Sequence, residues 1–111
     1  MKKNISFYIP AYNAEKTIKE SITSIQDQSI LVDEIILIDD CSKDKTVEIV
    51  RSEFSKIKII TNKENMGLGF NRNLAINEAK NDIVASIDSD VILDKYWVEN
   101  LIPEIEKENV L

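Results

Sequence analysis

The residues in this chain best suited to chemistry are two acidic pairs. Asp88 and Asp90 flank one serine just after an apolar run, and Asp39-Asp40 closes another apolar run. Alternate residues of an extended chain point to the same side, so Asp88 and Asp90 can serve one ligand. Hard cations such as Mg²⁺ take carboxylate oxygens together with substrate phosphates. The pair therefore indicates a divalent-cation site, although acidic residues also begin turns and helices for local reasons.

An aromatic residue and a glycine-containing segment offer further contacts. Tyr12, in the Pro10-Ala11-Tyr12-Asn13 turn after the first apolar run, has a ring face on which a base can stack. Residues 65–72 bring two glycines to a helix start near Arg72, where backbone N–H groups suit phosphate. The alternatives are a plain turn and a solvated arginine. A dinucleotide fingerprint is rejected, because its third glycine is absent and the segment does not follow the first strand.

The elements that must position these residues alternate regularly along the chain. Strands are predicted at 5–9, 34–38, 56–61 and 83–87, and helices at 14–28, 44–54, 68–80 and 94–108. Ser42 and Asp94 are predicted helix N-caps, Pro10 is predicted to end the first strand, and Pro103 is predicted to kink or divide the last helix. Four βα units predict an α/β fold of three layers, α/β/α, around a mostly parallel four-stranded sheet of order 3-2-1-4.

Ligands of an open α/β sheet bind outside the carboxyl ends of its strands. This rule brings together around one crevice Tyr12-Asn13, Asp39-Asp40, Asp88 and Asp90. Such a crevice suits a ligand with polar hydroxyls or a base edge, together with a divalent cation.

Composition narrows the classes of function. The 111 residues suit one domain, 1–111, and the net charge of −6 argues against nonspecific binding of nucleic acid. Cys41 is the single cysteine and no histidine is present to activate it, so a packed loop thiol is predicted. The lone cysteine and the lack of an export signal or membrane-length apolar window predict a cytoplasmic chain, with no membrane association indicated.

Three motifs, in order, resemble a known family. They are SFYIPAYNAEKTIKESITSIQDQ, DEIILIDDCSKDKT and NKENMGLGFNRNLAINEAKNDIVASIDSDV. This set is similar to the N-terminal half of the family-2 inverting glycosyltransferases with a GT-A fold. The resemblance implies a nucleotide-diphosphate-sugar donor, with a UDP-sugar favoured, and Mg²⁺ or Mn²⁺ as cofactor. The resemblance also implies the site residues. Pro10, Ala11 and Tyr12 would line the base pocket, Asp40 would bond the base, and Arg72 would sit toward base or phosphate. Asp88 would reach the ribose, Ser89 would be a further nucleotide-sugar contact, and Asp90, with Asp88, would bind the metal of a DxD motif.

Two departures from the family pattern qualify this resemblance. Many members carry Glu directly after the Tyr-Asn pair, where this chain has Ala14. The half that supplies the acceptor site and the catalytic base in the family is expected to be absent, so the catalytic residue is unknown. The 111-residue chain alone is therefore expected to bind donor without transferring sugar. Any peripheral association with the inner face of the membrane is expected to come from the missing regions. The acceptor is expected to be a saccharide, a lipid or a protein, and the sequence does not identify it.

Three alternatives compete with this interpretation. A non-catalytic interaction or nucleotide-binding module on the same fold would use the open edge of the fourth strand, through which self-association is also expected. A signalling receiver domain would carry its acidic pair after the first strand, whereas here it follows the second. A nucleotidyltransferase would have a basic, glycine-rich loop after the first strand, which residues 10–16 do not provide.

Overall fold

The computed structural model describes residues 4–108, so the ends of the predicted 1–111 domain, 1–3 and 109–111, lie outside the described residues. Strands and helices alternate throughout. The strands are β1 (Ile5–Ala11), β2 (Glu34–Asp39), β3 (Lys58–Thr61) and β4 (Ile83–Ser86). The helices are α1 (Ile18–Gln26), α2 (Thr46–Glu53), α3 (Leu68–Glu78) and α4 (Trp97–Glu108).

All strand pairs are parallel and their order is β3-β2-β1-β4, which confirms the predicted sheet. Three helices cover one face and one helix covers the other. The larger core joins odd-numbered β1 residues to the isoleucines of α1, to Val50 of α2 and to Val98 of α4. The smaller core joins Tyr8, Ile36 and Ile38 to Ala75 of α3. The two central strands, β1 and β2, are therefore buried on both faces, which explains their nearly continuous apolar sequences.

Pro10 does not end β1, contrary to the prediction. The strand continues to Ala11, and Pro10 pairs in register with Ile38 of β2. The Tyr8 carbonyl accepts the N–H of Ile87 at 3.3 Å, so even-numbered β1 residues direct their backbone groups toward β4. The pairing with β4 ends at Tyr8. The missing N–H of Pro10 thus falls beyond the end of β4, where no ladder hydrogen bond is lost.

Two helices start later than predicted because turns precede them. A turn with Thr17 N–H on the Ala14 carbonyl (3.1 Å) precedes α1, which begins at Ile18 rather than at 14. At α2, Asp44 rather than Ser42 accepts the Thr46 N–H, at 3.0 Å, and the predicted Ser42 cap is wrong.

The last helix also starts later than predicted. Asp94 accepts the Tyr96 N–H at 2.9 Å in a turn before α4, so it is not the residue adjoining the helix. The helix is continuous through Pro103, so the predicted division into two pieces is wrong. Trp97 at its start packs edge-on against Phe7, with ring centroids 5.9 Å apart, whereas Tyr96 is exposed. Among the helices described, none is both long and apolar enough to cross a membrane.

Candidate nucleotide-sugar site

The loops that follow the strands are joined at the carboxyl edge of the sheet. The Asp40 N–H donates to the Ala11 carbonyl at 2.8 Å, which continues the β1–β2 ladder past the last residue of β2. The Asn62 N–H donates to the Asp39 carbonyl at 2.8 Å and does the same between β2 and β3. The predicted contact residues after β1 and β2 are therefore brought together by backbone hydrogen bonds.

A reciprocal pair of hydrogen bonds fixes the β1–α1 loop against the β2–α2 loop. The Asn13 N–H donates to Ser42 Oγ at 2.8 Å, and the Lys43 N–H donates to Asn13 Oδ1 at 2.8 Å. Asn13 has a left-handed backbone (φ 51°), which asparagine tolerates better than most residues. Tyr12, the preceding residue, is 50% exposed, so its ring is available at the edge of the site.

The two adjacent aspartates at the end of β2 have different surroundings. Asp39 is only 3% exposed, and its Oδ2 accepts the Ser42 N–H at 3.2 Å. Its Oδ1 is buried and has no hydrogen-bond partner within residues 4–108. Asp40 is half-buried and accepts the N–H groups of Met66 (2.8 Å) and Gly67 (3.2 Å). Both carboxylates therefore bind backbone N–H groups of loops.

These contacts set the ionisation of Asp40. Partial burial acts to raise its pKa, but the hydrogen bonds from Met66, Asn62 and Gly67 outweigh burial, and the pKa lies below the ordinary value of 3.8. The Asn62 amide donates to Asp40 Oδ1 at 3.0 Å and also to Asn71 Oδ1 at 2.7 Å. Asp40 is therefore an anionic acceptor at neutral pH.

The start of α3 is already paired with a carboxylate. Gly67 adjoins the helix with φ 87° and ψ 167°, a conformation that is essentially restricted to glycine. Its N–H and that of Met66 are the groups bound to Asp40, so these two donors are not free for a phosphate. Arg72 lies on the first turns of α3 and is exposed.

The acidic motif after β4 forms a turn rather than the extended chain assumed from its spacing. The Val91 N–H donates to the Asp88 carbonyl at 3.1 Å. The Ser89 carbonyl accepts the hydroxyls of Thr17 and Ser21, both at 2.9 Å. The side chains of Asp88 and Asp90 are exposed. The turn backbone is thus held by α1 while both carboxylates face solvent.

This geometry bears on whether the residues fit a divalent cation. No cluster of three or more His, Cys, Asp or Glu side chains able to hold a metal occurs in the described part of the chain. Mg²⁺-type sites, however, commonly use one or two carboxylates and complete their shell with phosphate oxygens and water. The donor set of two exposed carboxylates on a fixed turn is compatible with such a cation, which Asp90 and Asp88 would hold.

The contacts of several residues that shape the site could not be predicted from the sequence. Asn62 binds Asp40 and Asn71, contacts that no local pattern signals, and Ser42, predicted as a helix cap, binds Asn13 in another loop. Ser21 did carry a sequence signal, because it lies next to the isoleucines that form the apolar side of α1. The structure shows that Ser21 is buried with them. Cys41 is partly buried, has φ 69°, and its thiol donates to the Lys63 carbonyl at 3.3 Å, as a packed loop thiol would.

Comparison with known proteins identifies the family of this chain. Residues 6–111 match the model of Glycosyl transferase family 2, and the chain belongs to that family. It is 36% identical over 97 residues to the UDP-Glc:alpha-D-GlcNAc-diphosphoundecaprenol beta-1,3-glucosyltransferase WfgD of Escherichia coli, covering 86% of this chain and 37% of that protein. The chain therefore spans about two-fifths of that relative.

Solved structures agree with the family assignment. S. aureus TarS 1-349 in complex with UDP matches with a TM-score of 0.84 and 31% identity, over 96% of this chain and 33% of that one. The mannosyltransferase PcManGT from Pyrobaculum calidifontis, in complex with GDP-Man and Mn²⁺, matches with a TM-score of 0.85 and 22% identity, over 95% of this chain and 33% of that one. The second likeness shows the fold alone. The fold is that of the GT-A glycosyltransferases, as the sequence motifs predicted.

Proposed function

We propose that this chain is the donor-binding domain of an inverting glycosyltransferase that transfers sugar to an acceptor hydroxyl. The donor is a nucleotide-diphosphate-sugar, and a UDP-sugar is favoured because TarS, 31% identical over 96% of this chain, was solved in complex with UDP. The observation that carries the proposal is the Asp40–Ala11 backbone hydrogen bond of 2.8 Å. It joins the loop that carries Tyr12 to the residue that carries the anionic acceptor.

The base is assigned to the loops after β1 and β2. Pro10, Ala11 and Tyr12 line its pocket, and the Tyr12 ring supplies a stacking face. Asp40 accepts a hydrogen bond from the base edge. A carboxylate has about four acceptor positions, and the Asn62, Met66 and Gly67 donors use three, so one remains for a ligand.

The sugar-diphosphate part is assigned to the acidic turn and α3. Asp88 and Ser89 lie toward the ribose and sugar, Asp90 with Asp88 holds Mg²⁺ or Mn²⁺, and Arg72 reaches the diphosphate. PcManGT, which shares this fold, was solved with Mn²⁺. A cation held there stabilises the departing nucleotide diphosphate as a Lewis acid.

Donor recognition is assigned to residues 1–111 as one domain. The acceptor, a saccharide, lipid or protein, and the carboxylate base that deprotonates its hydroxyl are assigned to the parts of the relatives that this chain does not match. We place the protein in the cytoplasm, where nucleotide sugars are the donors available to it.

Calorimetric titration with UDP, with and without Mn²⁺, tests the proposal. The folded chain is expected to bind UDP more tightly when Mn²⁺ is present. Asp90→Asn removes the Mn²⁺ effect, and Asp40→Asn weakens binding under both conditions, because it removes the anionic acceptor for the base. Asp82→Asn is the matched control, since Asp82 is an exposed aspartate just before β4, at the opposite edge of the sheet.

Two results would contradict the proposed donor site. A folded chain that binds neither UDP nor GDP nor thymidine diphosphate, with or without Mn²⁺, does not have a donor site. Loss of binding in Asp82→Asn equal to that in Asp90→Asn would show a nonspecific effect of charge.

A non-catalytic interaction module is the second candidate, and the position of β4 favours it. Within the described sheet β4 pairs only with β1, which leaves its other edge without a strand. Ile83, Val84 and Ala85 on this edge strand are only partly buried. Such an edge can pair with another chain. Sedimentation equilibrium showing dimers whose formation is unaffected by UDP, in a chain that fails the calorimetric test, would establish this function instead.

A further inference from the structure

Four polar residues, two in α1 and one just beyond each of its ends, bind the segment containing the acidic turn. This row, here called the α1 ladder, is Thr17, Ser21, Ser24 and Gln28. Successive members are separated by four, three and four residues, which places them on one side of a helix. All four form hydrogen bonds with backbone groups between residues 89 and 98.

The lower part of the ladder fixes the chain after the turn. Ser24 Oγ accepts the Leu93 N–H at 3.0 Å. Gln28 uses both ends of its amide, donating to the Asp94 carbonyl at 2.7 Å and accepting the Val98 N–H at 2.9 Å. Gln28 is only 8% exposed. The contacts at Leu93 and Asp94 hold a segment that belongs to neither β4 nor α4, and the contact at Val98 holds the first turn of α4.

The upper part of the ladder binds the acidic turn itself. Thr17 and Ser21 both donate to the Ser89 carbonyl, at 2.9 Å each. Ser21 is 0% exposed and is followed by Ile22 on the side of α1 that packs in the larger core. A buried hydroxyl is unfavourable without a hydrogen-bond partner, so the Ser89 carbonyl accounts for a serine at this position.

The two hydrogen bonds to the Ser89 carbonyl matter for the neighbouring residue, Asp90. The Ser89 carbonyl belongs to the same planar peptide unit as the Asp90 N–H. Two donors on one carbonyl oxygen fix the orientation of this plane, and the Val91–Asp88 hydrogen bond of 3.1 Å closes the turn from the other side. Thr17 and Ser21 therefore constrain the direction in which the Asp90 side chain leaves the backbone.

We propose that Ser21 and Thr17 are positioning residues for the cation site, holding the Ser89 carbonyl so that Asp88 and Asp90 are directed at one divalent ion. This inference rests on the proposed function and deepens it. Neither hydroxyl touches the ion or the nucleotide. A purely structural role would instead alter stability and all forms of nucleotide binding together.

Binding of Mn²⁺ and of UDP is measured separately in the 111-residue chain. Mn²⁺ alone is titrated by paramagnetic broadening of the Asp90 and Val91 amide signals, and UDP is titrated with Mn²⁺ and with chelator. Thr17→Val/Ser21→Ala is expected to weaken Mn²⁺ binding by roughly tenfold or more, because loss of an outer-shell partner costs about 10–100-fold in metal affinity. UDP affinity in chelator is expected to change less than about twofold, since no base contact is altered.

Three further variants make the test specific. Thr17→Val alone removes one donor from a partly exposed residue outside the core, so it keeps the test available if the double variant does not fold. Thr17→Ser retains the hydroxyl and is expected to retain Mn²⁺ affinity. Thr23→Val is the matched control, because the Thr23 hydroxyl donates only within α1, to the Lys19 carbonyl at 2.8 Å.

The outcomes separate the two proposals. Unchanged Mn²⁺ affinity in Thr17→Val and in the double variant overturns the positioning role, as does an equal loss of UDP affinity with Mn²⁺ and with chelator. A wild-type chain that binds Mn²⁺ at the turn but no nucleotide removes the proposed function and leaves the positioning role intact. A wild-type chain that binds neither ligand overturns both.

Discussion

The carboxylate of Asp40 accepts the backbone N–H of Gly67 at 3.2 Å, across loops that follow two different strands. The neighbouring Met66 N–H binds the same carboxylate at 2.8 Å. A negative charge beside the start of α3 is favourable, because the N-terminal end of a helix carries partial positive charge. Asp40 thus stabilises the helix start and remains the anionic acceptor of the candidate base pocket.

The Gly67 backbone conformation predicts a specific stability difference between two glycines. Gly67→Ala is expected to lower the free energy of unfolding by about 1–3 kcal/mol, since φ 87° with ψ 167° is strained for any residue with a Cβ. A Cβ at Gly67 or at Gly69 meets nothing within 4 Å, so crowding plays no part. Gly69→Ala, inside α3, is expected to stabilise by about 0.5–1 kcal/mol. Urea unfolding of both variants measures the difference, and equal effects would refute the strain argument.

The lowered pKa of Asp40 predicts a pH dependence of stability. Because the pKa is lower in the folded chain than the ordinary 3.8, the contribution of Asp40 is present above that pH and is lost as pH falls through the folded pKa. The stability difference between wild type and Asp40→Asn is therefore expected to shrink as pH falls from 7 to below 3.8.

Urea unfolding at several pH values tests this expectation. The pKa of Asp44 is also lowered, because hydrogen bonds from Thr46 and Glu15 outweigh the effect of burial. Asp44 therefore loses its contribution to stability at low pH in both proteins. Only the difference in stability between wild type and Asp40→Asn reports on Asp40. A difference that is constant with pH would mean that the Asp40 charge does not stabilise the fold.

The left-handed Asn13 predicts a second backbone effect. Asn13→Ala is expected to be less stable than Asn13→Gly by roughly 1 kcal/mol, because left-handed strain of about 1–2 kcal/mol for alanine exceeds the entropic cost of glycine. Both variants lose the acceptor for the Lys43 N–H, so that contact cancels in the comparison. Thermal unfolding of the pair gives the result. Equal stabilities would show that the loop relaxes to another conformation.

The unequal cores predict where stability resides. Ile22→Ala, at a fully buried site of the larger core, is expected to cost about 2–5 kcal/mol. Ile76→Ala, on α3 and 51% exposed, is expected to change stability by less than about 0.5 kcal/mol. Urea unfolding compares these two substitutions of the same kind. Similar losses would indicate that the exposed side of α3 is covered in solution.

Much of the fold follows from local sequence. Alternating apolar runs and amphipathic segments predicted four βα units, and the preference for right-handed crossovers limited the order of the strands. Pro10 was misjudged because its effect depends on where β4 ends, which sequence does not reveal. Ser42 has the right type and spacing for a helix cap, yet it binds Asn13 in another loop.

The site was predictable as a set of residues and not as a set of contacts. The rule that ligands bind beyond the carboxyl ends of strands brought Tyr12, Asp40 and Asp90 to one edge. It could not show that Asp40 holds the start of α3, or that Ser21 holds Ser89 across 68 residues. Contacts between such distant residues depend on packing that no short sequence pattern encodes.

The unequal cover of the sheet has a consequence for hydrogen exchange. One face of the sheet is covered by α3 alone, and few residues of α3 are buried. Local unfolding of α3 and its preceding loop is therefore expected to require less free energy than that of β1 and α1. Opening there releases Asp40 from Met66 and Gly67, while α1 continues to hold the acidic turn. The candidate base pocket and the candidate cation site therefore belong to regions of different local stability, and mild denaturant is expected to disrupt the first before the second.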